Sequence, residues 1–394
     1  MNQLTAIKKR VQSIDILRGI IMIIMALDHV RDYFHNDAFQ HDPVDPTTTT
    51  PILFFTRFIT HFCAPTFLFL AGTSAYLVGL RKPKAELGNF LLKRGLWLIF
   101  IEVVIISLGW TFNPQYNTII FQVIWAIGAS MVLLGLAVRL PYGVIFAIGA
   151  LIVFGHNLLD HPEYVRNHNV SFIWDLFHDA RFDNYTFAPN HVLVIAYAFL
   201  PWTGIMLMGY CAGRLFEPTV DTHKRQKSLL LIGTGLIALF VVLRLINGYG
   251  DPEPWTHQRN GMATFLSFMN VHKYPPSLMY ISITLGPALI VLALLENIQN
   301  RFTEFVKVFG RVPFFYYVLH LYLIHIFTVI AFFIAGYGKK DIVNQPFFFR
   351  PPQFGYDLWA VYIVWAIVIL ALYPLCKWYN KYKSEHSQWW LSYL

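Results

Sequence analysis

Polar and apolar positions along the chain separate into long blocks. Ten apolar runs stand out, at residues 14–34, 54–80, 90–110, 118–138, 142–158, 191–215, 228–246, 276–295, 313–335 and 356–376. A helix needs about 20 apolar residues to cross the hydrocarbon core of a bilayer, so each run predicts a membrane-crossing helix. The first run contains Asp28 and His29 and lacks a small-residue cleavage site, so it reads as a span rather than a cleavable leader. The predicted architecture is all-α: a polytopic bundle of about ten spans forming one domain over residues 1–394.

Composition agrees with the blocks. Of 394 residues, 56% are hydrophobic and only 13% charged, half the charged share of an average soluble domain. That balance excludes a disordered chain, a disulfide-rich secreted scaffold and a DNA-binding domain. Cys63, Cys211 and Cys376 are scattered through apolar runs without CxxC spacing, so they read as buried small hydrophobes.

The net charge of +8 is one-sided. With the N-terminus placed inside, the inner segments hold 19 Lys and Arg and the outer segments seven. The inner set includes Lys8, Lys9, Arg10, Lys93, Arg94 and Arg311; the outer set includes Arg166, Lys273 and Arg350. By the positive-inside rule both termini are cytoplasmic, and the excess charge implies no nucleic acid. The expected location is a cell inner (cytoplasmic) membrane, crossed many times. The outer segments at 35–53, 160–190, 247–275 and 336–355 are long and rich in His, Asp, Asn, Pro and aromatics, as expected of loops that meet a polar substrate.

Ionisable side chains inside spans cost about 2.5–3.5 kcal/mol each on insertion scales, which makes them candidates for function. They are Asp28, His29 and Arg31 in the first run, Arg57 and His61 in the second, Glu102 in the third, Arg244 in the seventh, and His320 and His325 in the ninth. Helical rise places His29, His61, Glu102 and His325 at similar depth, in the outer half of the membrane. Asp28, Arg31, Asp32 and His35 follow i, i+3, i+4, i+7 spacing and share one stripe. Asp28 and His29 point about 100° apart, which favours Glu102 or a loop Asp as the partner of His29. A histidine beside an acid is the usual general base for deprotonating a hydroxyl or amine. His320 and His325, five apart, cannot jointly chelate one ion, and no HxxxH or HExxH spacing is present, so no metal is expected.

Five stretches carry a family likeness: QSIDILRGIIMIIMALDHVRDYF, HFCAPTFLFLAGTSAYL, PWTGIMLMGYCAGRLF, KYPPSLMYISITLGPAL and GRVPFFYYVLHLYLIH. Together they resemble bacterial members of the heparan-alpha-glucosaminide N-acetyltransferase catalytic-domain family, within a wider group of transmembrane acyltransferases. The resemblance implies acyl transfer across the membrane, from cytoplasmic acetyl-CoA as co-substrate to an amine or hydroxyl of a sugar or glycoconjugate on the outer side. The family's lysosomal enzyme has a functional Asn eleven residues after the Arg of its Arg-Gly pair. Counting from Arg18, that position is His29 here, and His41 and His35 are nearest to the family's catalytic loop histidine.

Combining the likeness with the polar layer, the expected catalytic set is His29, Asp28, His61, Glu102 and His325. Arg18, Arg311 and His320 are expected to bind the coenzyme, and Arg31, Arg57, His41, Lys273 and Tyr274 the acceptor. The lipid bilayer and a second copy of the chain complete the expected partners. A permease moving a polar solute through the same layer, and a bis-histidine haem carrier, are the alternatives.

Overall fold

The computed structural model describes residues 11–342 and 347–392. Lys8, Lys9 and Arg10 of the inner basic set lie outside the described residues. In chain order the α-helices are α1 (Gln12–Phe34), α2 (Pro51–Thr60), α3 (Cys63–Gly79), α4 (Lys84–Ile101), α5 (Ser107–Thr111), α6 (Val123–Ala137), α7 (Tyr142–Gly155), α8 (Asp160–Val165) and α9 (Phe172–Trp174). They continue as α10 (Phe199–Ala212), α11 (Thr222–Ile246), α12 (Gly261–Met269), α13 (Leu278–Leu294), α14 (Arg301–Arg311), α15 (Pro313–Ile334) and α16 (Leu358–Glu385). Among the described residues, six stretches are long and apolar enough to cross a membrane: Pro51–Gly79, Tyr142–Val165, Thr222–Ile246, Leu278–Asn297, Pro313–Ile334 and Leu358–Glu385. The protein is thus a multi-pass helical membrane protein. The other four predicted spans fall on α1, on α4 with α5, on α6 and on α10. The last two helices have only 15 and 14 residues.

Two predicted helical stretches begin instead as strands. β1 (Thr118–Phe121) and β3 (His191–Ile195) pair in parallel, and β2 (Asp183–Ala188) joins β3 antiparallel, giving the order β1-β3-β2. Thr118, Ile119, Ile120, Val192, Val194 and Ile195 are β-branched, which favours the extended backbone. The sheet sits over the starts of α6 and α10 and forms one wall of the site described below.

Helix pairs meet at glycine. A Cβ on Gly19 of α1 would lie 2.1 Å from the Val306 carbonyl oxygen of α14, and one on Gly310 of α14 would lie 1.8 Å from that of Asp15. Gly72 of α3 faces the Met206 carbonyl of α10, and Gly209 of α10 the Phe69 carbonyl of α3, in the same way. Small residues let backbones approach closely where lipid supplies no hydrophobic drive between helices.

Two local irregularities aim side chains. Pro65 has no N–H to return to the His61 carbonyl, so α2 and α3 part at His61 and Phe62, and the freed carbonyl accepts from the Tyr280 hydroxyl at 2.8 Å. Between α4 and α5 a π turn, Glu102–Ile106, adds one residue to the helical repeat.

Segments read as inner converge. Arg225 at the start of α11 pairs with Glu296 beyond α13, and Ser13 of α1 donates to the same carboxylate at 2.6 Å. All three cysteines are buried free thiols.

Candidate functional site

Two cavities enter the bundle. The larger, about 700 Å³, opens among the segments read as outer loops and is lined by Asp28, His29, Arg31, Arg57, His61 and Lys273, with His41 at its exposed rim. The smaller, about 300 Å³, opens on the basic side, where Arg18, Arg94, Arg311 and Lys383 line it. Its walls are apolar, from Met22, Ala71, Phe90 and Leu98. Phe67 and Val123 line both cavities, so a thin septum separates them.

His29 stands at this septum. Its ring stacks on His320, with centroids 4.9 Å apart, and its Nδ1 lies 2.7 Å from His320 Nε2. His320 Nδ1 faces the Tyr316 carbonyl at 3.1 Å and can only donate there. That fixes the tautomers: His320 Nε2 accepts, His29 Nδ1 donates, and His29 Nε2 keeps its lone pair. Trp110 meets the His29 ring edge-on at 4.8 Å, and Tyr317, which lines the smaller cavity, meets it at 6.2 Å.

Beside His29 the charges form a ladder. The Asp28 carboxylate accepts from Arg57 and from Arg31, the latter at 3.2 Å, and Arg31 also reaches Asp32 at 2.6 Å. Two guanidiniums and two carboxylates balance. Lys273, 92% buried, has no carboxylate partner among the described residues; its ammonium lies 4.9 Å over the Tyr274 ring. Burial opposes ionisation of the Tyr274 phenol, but Lys273 and Arg57 outweigh it and hold the phenol below the usual tyrosine value. His61 is buried against the same cavity and its Nδ1 lacks a hydrogen-bond partner among the described residues.

Three predicted site residues are engaged elsewhere. Glu102 lines neither cavity; its two oxygens accept from the backbone N–H groups of Gln122 at 3.0 Å and Trp125 at 3.1 Å, capping α6. His325 is wedged between the carbonyls of Gly109 (3.1 Å) and Phe348 (2.9 Å) and stacks on Phe112. His320, expected on the coenzyme side, serves instead as the partner of His29, a role expected of Glu102 or a loop Asp. The remaining predicted residues fall into two groups: Asp28, His29, Arg31, His41, Arg57, His61, Lys273 and Tyr274 at the larger cavity, and Arg18 and Arg311 at the smaller.

At the smaller mouth, Arg18 donates to Ser74 Oγ at 2.9 Å and to the Gly310 carbonyl at 3.3 Å, and Asp15 lies between Arg18 and Arg311. Sequence reading missed Trp110, Tyr317, Phe67 and His272. Tyr317 had a signal, since it stands three residues before His320 on one face of α15; His272 stands immediately before the stretch that opens at Lys273.

No curated protein matches the chain closely enough to serve as a relative. The profile of the family described as "Heparan-alpha-glucosaminide N-acetyltransferase, catalytic" matches residues 10–242. This covers α1 to most of α11, and with them Arg18, His29, Arg57, Phe67 and Val123, while Tyr317 and His320 lie beyond it. The chain therefore belongs to the heparan-alpha-glucosaminide N-acetyltransferase catalytic family, a transferase family of membrane proteins.

Proposed function

We propose that the protein moves an acetyl group from acetyl-CoA to an amine or hydroxyl of a sugar-like acceptor. The observation that carries this reading is the His29–His320 pair at the septum between a basic-mouthed apolar cavity and a polar one. With the basic face cytoplasmic, both termini lie inside and the protein resides in a cytoplasmic membrane. Arg18, Arg94, Arg311 and Lys383 then meet the coenzyme's phosphates. The pantetheine arm follows α1 past Met22. Eleven residues separate Arg18 from His29, about 16 Å along the helix, which brings the thioester to the septum.

The acceptor occupies the larger cavity against Arg57, Lys273 and Tyr274. His29 Nε2 takes the proton of the attacking hydroxyl or amine as the new C–O or C–N bond forms. The C–S bond breaks, and the proton passes from His29 to the departing sulfur. His320 holds the tautomer in which Nε2 is basic.

Two measurements test this. Acetyl-CoA should raise the Tm of the purified protein where adenine nucleotides lacking the pantetheine arm do not. Radiolabelled acetyl-CoA should acetylate a member of a panel of amino sugars and outer-surface glycoconjugates. Failure of any acyl-CoA to bind overturns the proposal.

A further inference from the structure

Outside both cavities, the end of α7 gathers titratable side chains. His156, Asp160 and Glu163 stand at i, i+4 and i+7 along the run from the 3-10 turn His156–Leu159 into α8, so they share one stripe. A second π turn, Asp175–Asp179, brings His178 against them. One donor atom from each of Asp160, Glu163 and His178 lies within 4.8 Å of the others. His178 Nδ1 is 2.7 Å from Glu163 Oε1, and His178 Nε2 is 3.1 Å from His156 Nδ1. Glu163 and His178 are buried, and His156 is 96% buried. A relay from Glu163 through His178 ends on His156, whose Nε2 has no partner among the described residues.

We propose that His178, Glu163 and Asp160 hold a divalent first-row cation of the zinc type, with His156 orienting His178 through its other ring nitrogen. Imidazole nitrogen and carboxylate oxygen form the mixed donor set that zinc accepts, whereas calcium and magnesium take oxygen. Zinc bonds of about 2.0–2.2 Å put neighbouring donors of a tetrahedral shell roughly 3.3 Å apart. His178 Nδ1 and Glu163 Oε1, at 2.7 Å, already stand near that separation. The cation acts as a staple, outside the chemistry proposed above. Asn157, next to His156, accepts from the backbone N–H of Leu278 at 2.8 Å, the first residue of α13. Lys273 and Tyr274, on the wall of the larger cavity, lie just before that helix. The ligands follow DxxE with a histidine 15 residues further on, a pattern unlike the HxxxH and HExxH spacings that sequence reading sought.

The test uses the full chain in detergent, purified without added metal. Elemental analysis should find about one zinc per chain in the wild type and less than about a tenth of that in His178→Ala and Asp160→Asn. Asp160 is only partly buried, so its variant keeps the fold if His178→Ala does not. Chelator-stripped protein should bind CoCl2 with visible absorption bands that ZnCl2 displaces, and ZnCl2 should raise its Tm, with neither response in Asp160→Asn. Wild-type protein that is metal-free and unresponsive to ZnCl2 and CoCl2 overturns the proposal. So does metal retained undiminished in both variants.

Discussion

His29 and His320 divide one task between them. One ring presents a basic nitrogen to the cavity and the other fixes which nitrogen that is. His29→Ala should lower acetyl transfer by about 10²–10⁴-fold and leave acetyl-CoA binding, measured by thermal shift, near that of the wild type. Transfer at the wild-type rate would remove His29 from the reaction. His320→Ala should also lower kcat, and His320→Gln should recover part of the loss because its amide oxygen can still accept from His29 Nδ1. A residue needed only for packing would gain nothing from that replacement. Glu102 predicts the opposite signature. Glu102→Gln places an amide N–H against a backbone donor at the α6 N-terminus and should cost about 1–2 kcal/mol of stability, read as a lower Tm with KM and kcat little changed. Sequence alone ranked Glu102 with His29 because both are ionisable side chains at equal depth. Depth says nothing of direction, and the backbone N–H groups that claim Glu102 belong to a helix start that periodicity had placed several residues earlier.

At the level of elements, hydrophobic blocks were enough to locate most helices, since an apolar run of spanning length has few alternatives. They were not enough to separate β1 and β3 from the helices that follow, because a short apolar run of β-branched residues suits either state by periodicity. The break at His61 was legible only through Pro65, and what stabilises it, the hydroxyl of Tyr280, is distant in sequence. The contact of α1 with α14 offers a direct check. Gly310→Val forces side-chain atoms into the Asp15 backbone and should destabilise by about 1–3 kcal/mol or more, while disturbing the Arg18 contact with the Gly310 carbonyl and so weakening acetyl-CoA binding. The loop ahead of α13 carries a pH dependence. Burial opposes a charge on His272, but Glu253, 3.4 Å away, and Asp251 outweigh both burial and Arg181 and raise its pKa. A raised histidine stabilises the fold fully below its unfolded value, about 6.5, and loses that contribution as pH rises through its folded value. The Tm advantage of the wild type over His272→Gln should therefore be larger at pH 6 than at pH 9.

Taken as one molecule, the protein sets a basic mouth against a polar chamber with one septum between them. Lys and Arg alone suggest a sidedness, because charge bias needs no knowledge of packing. The meeting of the two cavities was not legible in the sequence, since the rings of His29 and His320 that mark it lie 291 positions apart in the chain. Phe67→Trp enlarges the shared wall and should leave acetyl-CoA binding intact while lowering transfer; solute uptake that survives in His29→Ala proteoliposomes would favour a permease instead. One consequence follows from α1 carrying both Arg18 and His29. If Arg18 grips the coenzyme's phosphates as proposed, the distance from that grip to the basic nitrogen is fixed by a residue count within a single helix, and α1 works as a ruler for the arm it measures. Inserting one residue between them would turn His29 by about 100° away from the septum. Inserting four would restore the face but set it about 6 Å too far. On that proposal the reach of the coenzyme is written into the length of a helix rather than into the shape of a pocket.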